Sequence, residues 1–190
     1  LQLRQNTQAL TSRIYEMHRY LTNPVTSLWN VEEYKGISIG AQSYRGGVVG
    51  SDKDAMKNSD YGAMWMLAAL TNDSILKEKI LPPALNFKLA QQNTTDPFFK
   101  GAVEGQYYLA KSKRFVEEWG NVSEPIALTY YVMLDIGNML LFDPTNEELK
   151  ERLRLGADKL LDWQKSNGSW SVAYDHTTRE ELFKEIEDLR

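Results

Sequence analysis

Residues 61–70, Tyr-Gly-Ala-Met-Trp-Met-Leu-Ala-Ala-Leu, carry no charge on any face. A helix that is apolar all round must be covered on every side, so it belongs to an interior. Residues 126–141 repeat the property, with Asp135 as their one charged side chain. Two such segments in one short chain demand other elements to wrap them. The flanking segments have the right character. In 5–21, Leu10, Ile14, Met17 and Leu21 recur at helical spacing, and Arg13, Glu16 and Arg19 fall elsewhere on the wheel. Asn23-Pro24 stops that helix.

A more polar helix is expected after Asp73 and up to about Gln92, broken or restarted at Pro82-Pro83. Asp143-Pro144-Thr145-Asn146-Glu147-Glu148 reads as a start signal, with Thr145 and Glu148 as a capping box. The helix that follows places Leu149, Leu153, Ala157, Leu160 and Leu161 on one face. A charged helix is expected over 178–189. Residues 25–58 and 93–124 read as long loops, with short β-prone pieces such as Gly36-Ile37-Ser38-Ile39. Amphipathic and buried helices therefore alternate, which is what two concentric layers require.

The chain has 190 residues and 42% hydrophobic content, enough for one core, so 1–190 is expected to be a single domain. The net charge is −4 and no long basic run exists, which argues against nucleic acid as a partner. No apolar run reaches the roughly 20 residues of a membrane helix. Cysteine is absent, which excludes disulfides and thiolate metal sites. The sequence starts at Leu1, so a removed leader and a secreted or periplasmic location are expected, with the cytoplasm left open.

The exit of the helix near 160 has a pattern of its own. Trp163-Gln164 is followed by Asn167-Gly168-Ser169 and then Trp170, Val172 and Tyr174. Gly168 allows a turn, and Gln164 can satisfy orphan groups at the helix end. Two faint echoes exist: Trp29 to Tyr34, and Gly101-Ala102-Val103 with Tyr107, at a period of about 70 residues.

Leu160-x3-Gln164-x3-Gly168-x-Trp170 resembles the "Q…GxW" connection of α/α-toroid proteins. Terpenoid cyclases carry it repeatedly, but Leu155 and Lys159 depart from their motif and the aspartate-rich acid motif is missing. The chain is more similar to α/α-barrel polysaccharide lyases and six-hairpin glycosidase-like proteins. That resemblance implies an all-α fold of antiparallel helical hairpins, as a complete ring, an open arc or a segment of a longer toroid. It also implies action on an oligo- or polysaccharide.

Glycoside hydrolysis needs two carboxyl groups flanking one bond. If the three echoes share a face, Glu32, Glu33, Glu104 and Asp175 line up there, and Glu117, Glu118 and Glu124 lie on the next loop. A lyase instead needs a base and a cation that stabilises an enolate. Tyr174-Asp175-His176 with Arg179 supplies those parts together. Catalytic roles are thus expected of Glu104, Tyr174, Asp175 and His176, and substrate contacts of Trp29, Glu33, Asp135, Trp170 and Arg179. Tyr131, Asp135 and Asn138 form a polar stripe on a buried helix, either lining a cavity or satisfied between helices. No metal-ligand spacing and no phosphate loop is present, so no cofactor is expected. A non-catalytic helical scaffold, its aromatics serving as braces, is the rival reading.

Overall fold

The computed structural model describes residues 2–22, 29–44, 55–57, 61–117 and 122–182. Helix α1 is Gln2–Thr22, followed by strands β1 (Trp29–Tyr34), β2 (Ile37–Tyr44) and β3 (Ala55–Lys57). Helix α2 is Tyr61–Thr71, and a π-helical turn, Leu76–Ile80, runs into α3 (Leu81–Gln91). Strands β4 (Tyr107–Leu109), β5 (Arg114–Val116) and β6 (Val122–Ser123) precede α4 (Pro125–Phe142), α5 (Glu147–Asp162) and β7 (Tyr174–Asp175). The first five strands form one antiparallel sheet in the order β1-β2-β3-β4-β5, and β6 pairs with β7.

The fold is therefore α+β, which overturns the all-α toroid and the six-hairpin architecture implied by the resemblance. The sheet occupies stretches expected to be loops. Its strongest local device is the two-residue turn Lys35-Gly36, with φ of 49° and 81°, which registers Tyr34 opposite Ile37. Positive φ at both central positions gives a turn whose twist matches the flanking strands. Gly40 in β2 is required for a different reason: a Cβ there would collide with the Trp29 ring and touch Pro83.

Helix α3 joins two cores. On one side Leu81, Ala84 and Leu89 pack with Met64 and Leu67 of α2, and with Val132, Ile136 and Met139 of α4. On the other, Phe87 enters the sheet cluster of Ile39, Ala41, Met56 and Tyr108. Edge-to-face rings bind this second core, Phe87 on Phe115 at 5.3 Å and Tyr34 on Tyr108 at 5.5 Å. Helix α4 is long and apolar enough to cross a membrane by length and composition alone. One of its faces is built into the helical core through Leu128, Val132, Ile136 and Met139.

Three local expectations are corrected. Asn146, not Thr145, caps α5, its side chain accepting from Leu149 N at 3.1 Å. Thr178–Leu182 is not helical: Tyr174 forms a bridge with Glu181, and 183–189 lies outside the described residues. The three echoes take different structures, since Trp29 starts a strand, Gly101 sits in a turn at φ 96°, and Trp170 lies in an irregular exit.

Candidate functional site

Where α3 ends, Gln91 and Gln92 stop the helix and Asn93 starts a tight loop. Gln92 acts as a staple, its Nε2 donating to Gly101 O and to Arg152 O of α5, each at 2.9 Å. That loop is pinned from within. Asp96 Oδ1 accepts from Phe98 N at 2.8 Å and Phe99 N at 3.0 Å, and Asn93 Oδ1 accepts from Asp96 N at 2.7 Å. Gly101 is needed because a Cβ would run into the Leu155 carbonyl. The loop thus returns against α5 and presents Glu104 beside Asn93.

Glu104 is the centre of the constellation. Asn93 Nδ2 donates to its Oε1. His176 Nε2 lies 2.8 Å from its Oε2, brought there across 72 residues of chain. Ser123 of β6 donates to the Glu104 main-chain carbonyl at 3.0 Å, and β6 pairs with β7, which ends immediately before His176. Two backbone devices therefore aim the carboxylate and the imidazole at each other.

Both groups line an open cavity of about 870 Å³ between the end of α3, the β1–β2 turn, β5 and the start of α5. Its walls carry the carboxyls of Glu104, Glu117 and Glu148, the cations Lys35, Arg114 and Arg152, and the amides of Asn86, Gln91, Gln92 and Asn93. Arg152 is engaged, 3.6 Å from Glu148 and bonded to Leu89 O at 3.3 Å. Glu117 is 4% exposed and Gln91 and Gln92 are 5% and 3% exposed. The Oε1 atoms of Gln91 and Gln92 have no hydrogen-bond partner among the described residues. Buried acceptors left unmatched are costly, about 1–3 kcal/mol each, so a donor reaching them from a ligand or a water gains that much.

Beneath the site lies an aromatic base. Phe98 contacts Trp163 at 5.3 Å and Tyr174 at 5.4 Å, and the Phe99 ring stacks on His176 at 5.8 Å and 23°. Arg179 spans the edge, its guanidinium 4.4 Å from the Phe99 centroid and 2.9 Å from Asp96 Oδ2. Burial desolvates the Asp96 carboxyl and opposes its ionisation. The N–H groups of Phe99 and Phe98 and the Arg179 cation outweigh that, so its pKa lies below the ordinary value.

Of the residues singled out from sequence, Glu104, Glu117 and His176 line the cavity together. Glu118 lies outside the described residues, and the others are placed elsewhere. Tyr174 is buried in the aromatic base at 6% exposure, with its ring among Phe98 and Trp163. Asp175 closes a turn, accepting from Thr177 N at 2.8 Å and Thr178 N at 2.7 Å. Trp29 packs on the helical core and Trp170 donates its Nε1 to Leu160 O at 2.6 Å. Glu33 lies exposed on β1, outside the cavity lining. Asp135 is the satisfied alternative of its stripe, paired with Lys88 at 2.7 Å in the helical layer. Arg179 serves Asp96 and the His176 carbonyl.

Asn93, Gln91, Gln92 and Arg114 are site residues the sequence reading missed. The one signal for them was the run Gln91-Gln92-Asn93 at a helix end, three amides where one would terminate the helix. Among the described residues no three His, Asp or Glu side chains gather as metal ligands would. Comparisons with protein-family models, curated proteins and solved structures return no significant match.

Proposed function

We propose that this cavity binds a glycan chain and hydrolyses a glycosidic bond within it. The observation that carries the reading is the Glu104 carboxylate, fixed by Asn93 and His176, in a cavity that Glu117 and four amides also line. Sugar hydroxyls both donate and accept, so carboxamides and carboxylates are the side chains that match them. Tyr34 and Phe115 add flat apolar faces in the same lining.

In this reading Glu104 acts as the base or nucleophile, because two neighbours already orient it as an acceptor. Glu117, the second carboxyl of the lining that comes from the sheet side, is assigned as the proton donor to the leaving oxygen. His176 holds the Glu104 carboxylate and does not itself touch the bond. The test is a panel of neutral and acidic oligosaccharides offered to the native chain, Glu104→Gln and Glu117→Gln. Hydrolysis of a panel member, reduced at least about 10²-fold by either substitution, is the expected result. Absence of both binding and cleavage across the panel rejects the reading, and binding without turnover favours a scaffold.

One observation favours a second reading. His176 is oriented by a carboxylate, and Arg114 and Arg152 line the same cavity. That set would suit β-elimination on a uronate, with the imidazole as base and an arginine on the sugar carboxylate. Tyr174, buried below, has no part in it. An unsaturated product absorbing in the ultraviolet separates lyase from hydrolase.

A further inference from the structure

We propose that Arg179 is a positioning residue. With Asp96 it forms a latch that holds the segment 174–182 against the 93–104 loop and so delivers His176 to Glu104. Its role in turnover rests on the glycan reading; its role in placing the imidazole does not.

Four contacts meet at this one residue, three of them through its side chain. Arg179 Nη2 is 2.9 Å from Asp96 Oδ2. Its Nη1 donates to the carbonyl of His176 itself. Its guanidinium lies over Phe99, and the same Phe99 ring stacks on the His176 imidazole. Its backbone N–H donates to Asp175 O at 2.9 Å, closing the turn that contains His176. Asp96 is a rigid anchor for all of this, because two backbone N–H groups already fix its other oxygen.

The backbone agrees. Arg179 has φ of 67°, left-handed, which a residue with a Cβ adopts only against a steric cost. Glycine would take that conformation freely. The residue that accepts this cost is bonded to both Asp96 and His176, contacts that a glycine there would lack. Without the latch, the segment keeps Tyr174 in the aromatic base and the two-residue β6–β7 ladder. The turn at Asp175 and the Tyr174–Glu181 bridge also remain, so what it loses is the ion pair that ties it to the 93–104 loop. Guanidinium geometry is central: one planar fork reaches a carboxylate, a carbonyl and a ring face together, which an ammonium cannot do.

The chain has two histidines, so its imidazole nitrogen spectrum contains two sets of signals and His18 is an internal control. The measurement is that spectrum at one neutral pH for the native chain, Glu104→Gln, Arg179→Met, Arg179→Lys and Asp96→Asn. Glu104→Gln defines the shift of a His176 ring that has lost its carboxylate. Arg179→Met is expected to reproduce most of that shift and Arg179→Lys a part of it, with His18 unmoved. Asp96→Asn keeps Arg179 and weakens only the anchor, so it reports even where Arg179→Met does not fold, and it too is expected to move His176. His176 signals unchanged in Asp96→Asn and in every folded Arg179 variant overturn the proposal. On a panel substrate, Arg179→Met is expected to lower kcat on the order of 10²-fold with KM little changed. Loss of the spectral shift and loss of turnover are read separately. A chain that neither binds nor cleaves a glycan but shows the shift rejects the glycan reading and leaves the latch standing.

Discussion

Asp96 shows how much one side chain can organise, and it carries a pH dependence with a definite sign. Its carboxyl accepts from two backbone N–H groups and pairs with Arg179. Because its folded-state pKa is depressed below the ordinary 3.8, the ionised group stabilises the fold throughout the range above that value. The contribution fades as pH falls below 3.8 and through the folded-state value. The stability gap between the native chain and Asp96→Asn is therefore expected to be full at neutral pH and to close in acid. Urea titrations at several pH values measure it, and a gap that widened in acid would contradict the assignment. None of this was legible in sequence, where Asp96 precedes a proline in a stretch that reads as loop. Glu104 and His176 were legible as chemical types. Their meeting was not, because nothing local links residues so far apart in the chain. Asn93 stayed hidden for the same reason, and Arg179 was legible as a cation beside His176 but not as the partner of Asp96, which a distant loop supplies.

At the scale of elements, the helices were readable and the strands were not. The period of apolar residues identified α1 and α5, and unbroken apolar runs identified α2 and α4, each within a few residues. Strands β3, β4 and β5 are three residues each, too short to show an alternation. All three residues of β4 are buried, so even its pattern lacks a wet face. In β1–β2 the glycines that read as loop signals are one turn residue, Gly36, and one site of close packing, Gly40. The start of α5 was placed correctly and its cap was not. Thr145 bonds to Asp143 at 3.4 Å, and Asn146 takes the capping position, as its side chain accepts from Leu149 N. Asn146→Ala is accordingly expected to destabilise the chain by about 1 kcal/mol, and Thr145→Ala by much less. Urea midpoints for the two variants decide between the caps, and the larger loss at Thr145 would restore the capping box.

The whole molecule depends on how its sheet and its helical layer are coupled, and α3 is the coupling. One face of this helix lies in the core of α2 and α4, and the other sends Phe87 into the sheet. Phe87 is fully buried in one cluster with Ile39 and Ala41 of β2, Met56 of β3 and Tyr108 of β4, and its ring meets Phe115 of β5 at 5.3 Å. The cavity spans the same junction, with Tyr34 and Val116 on the sheet side and Gln92 and Arg152 on the helical side. A site built across two layers requires that they hold together as one unit. Phe87→Ala removes the ring that keys one layer into the other. Its expected cost is about 3–5 kcal/mol, as for other buried phenylalanines truncated to alanine. If the layers form one cooperative unit, far-UV circular dichroism and tryptophan fluorescence lose their signals in a single coincident transition in the native chain. In Phe87→Ala the same transition moves to lower denaturant as a whole. Two separated transitions in the variant would mean instead that sheet and helices fold independently and that only Phe87 kept them in register.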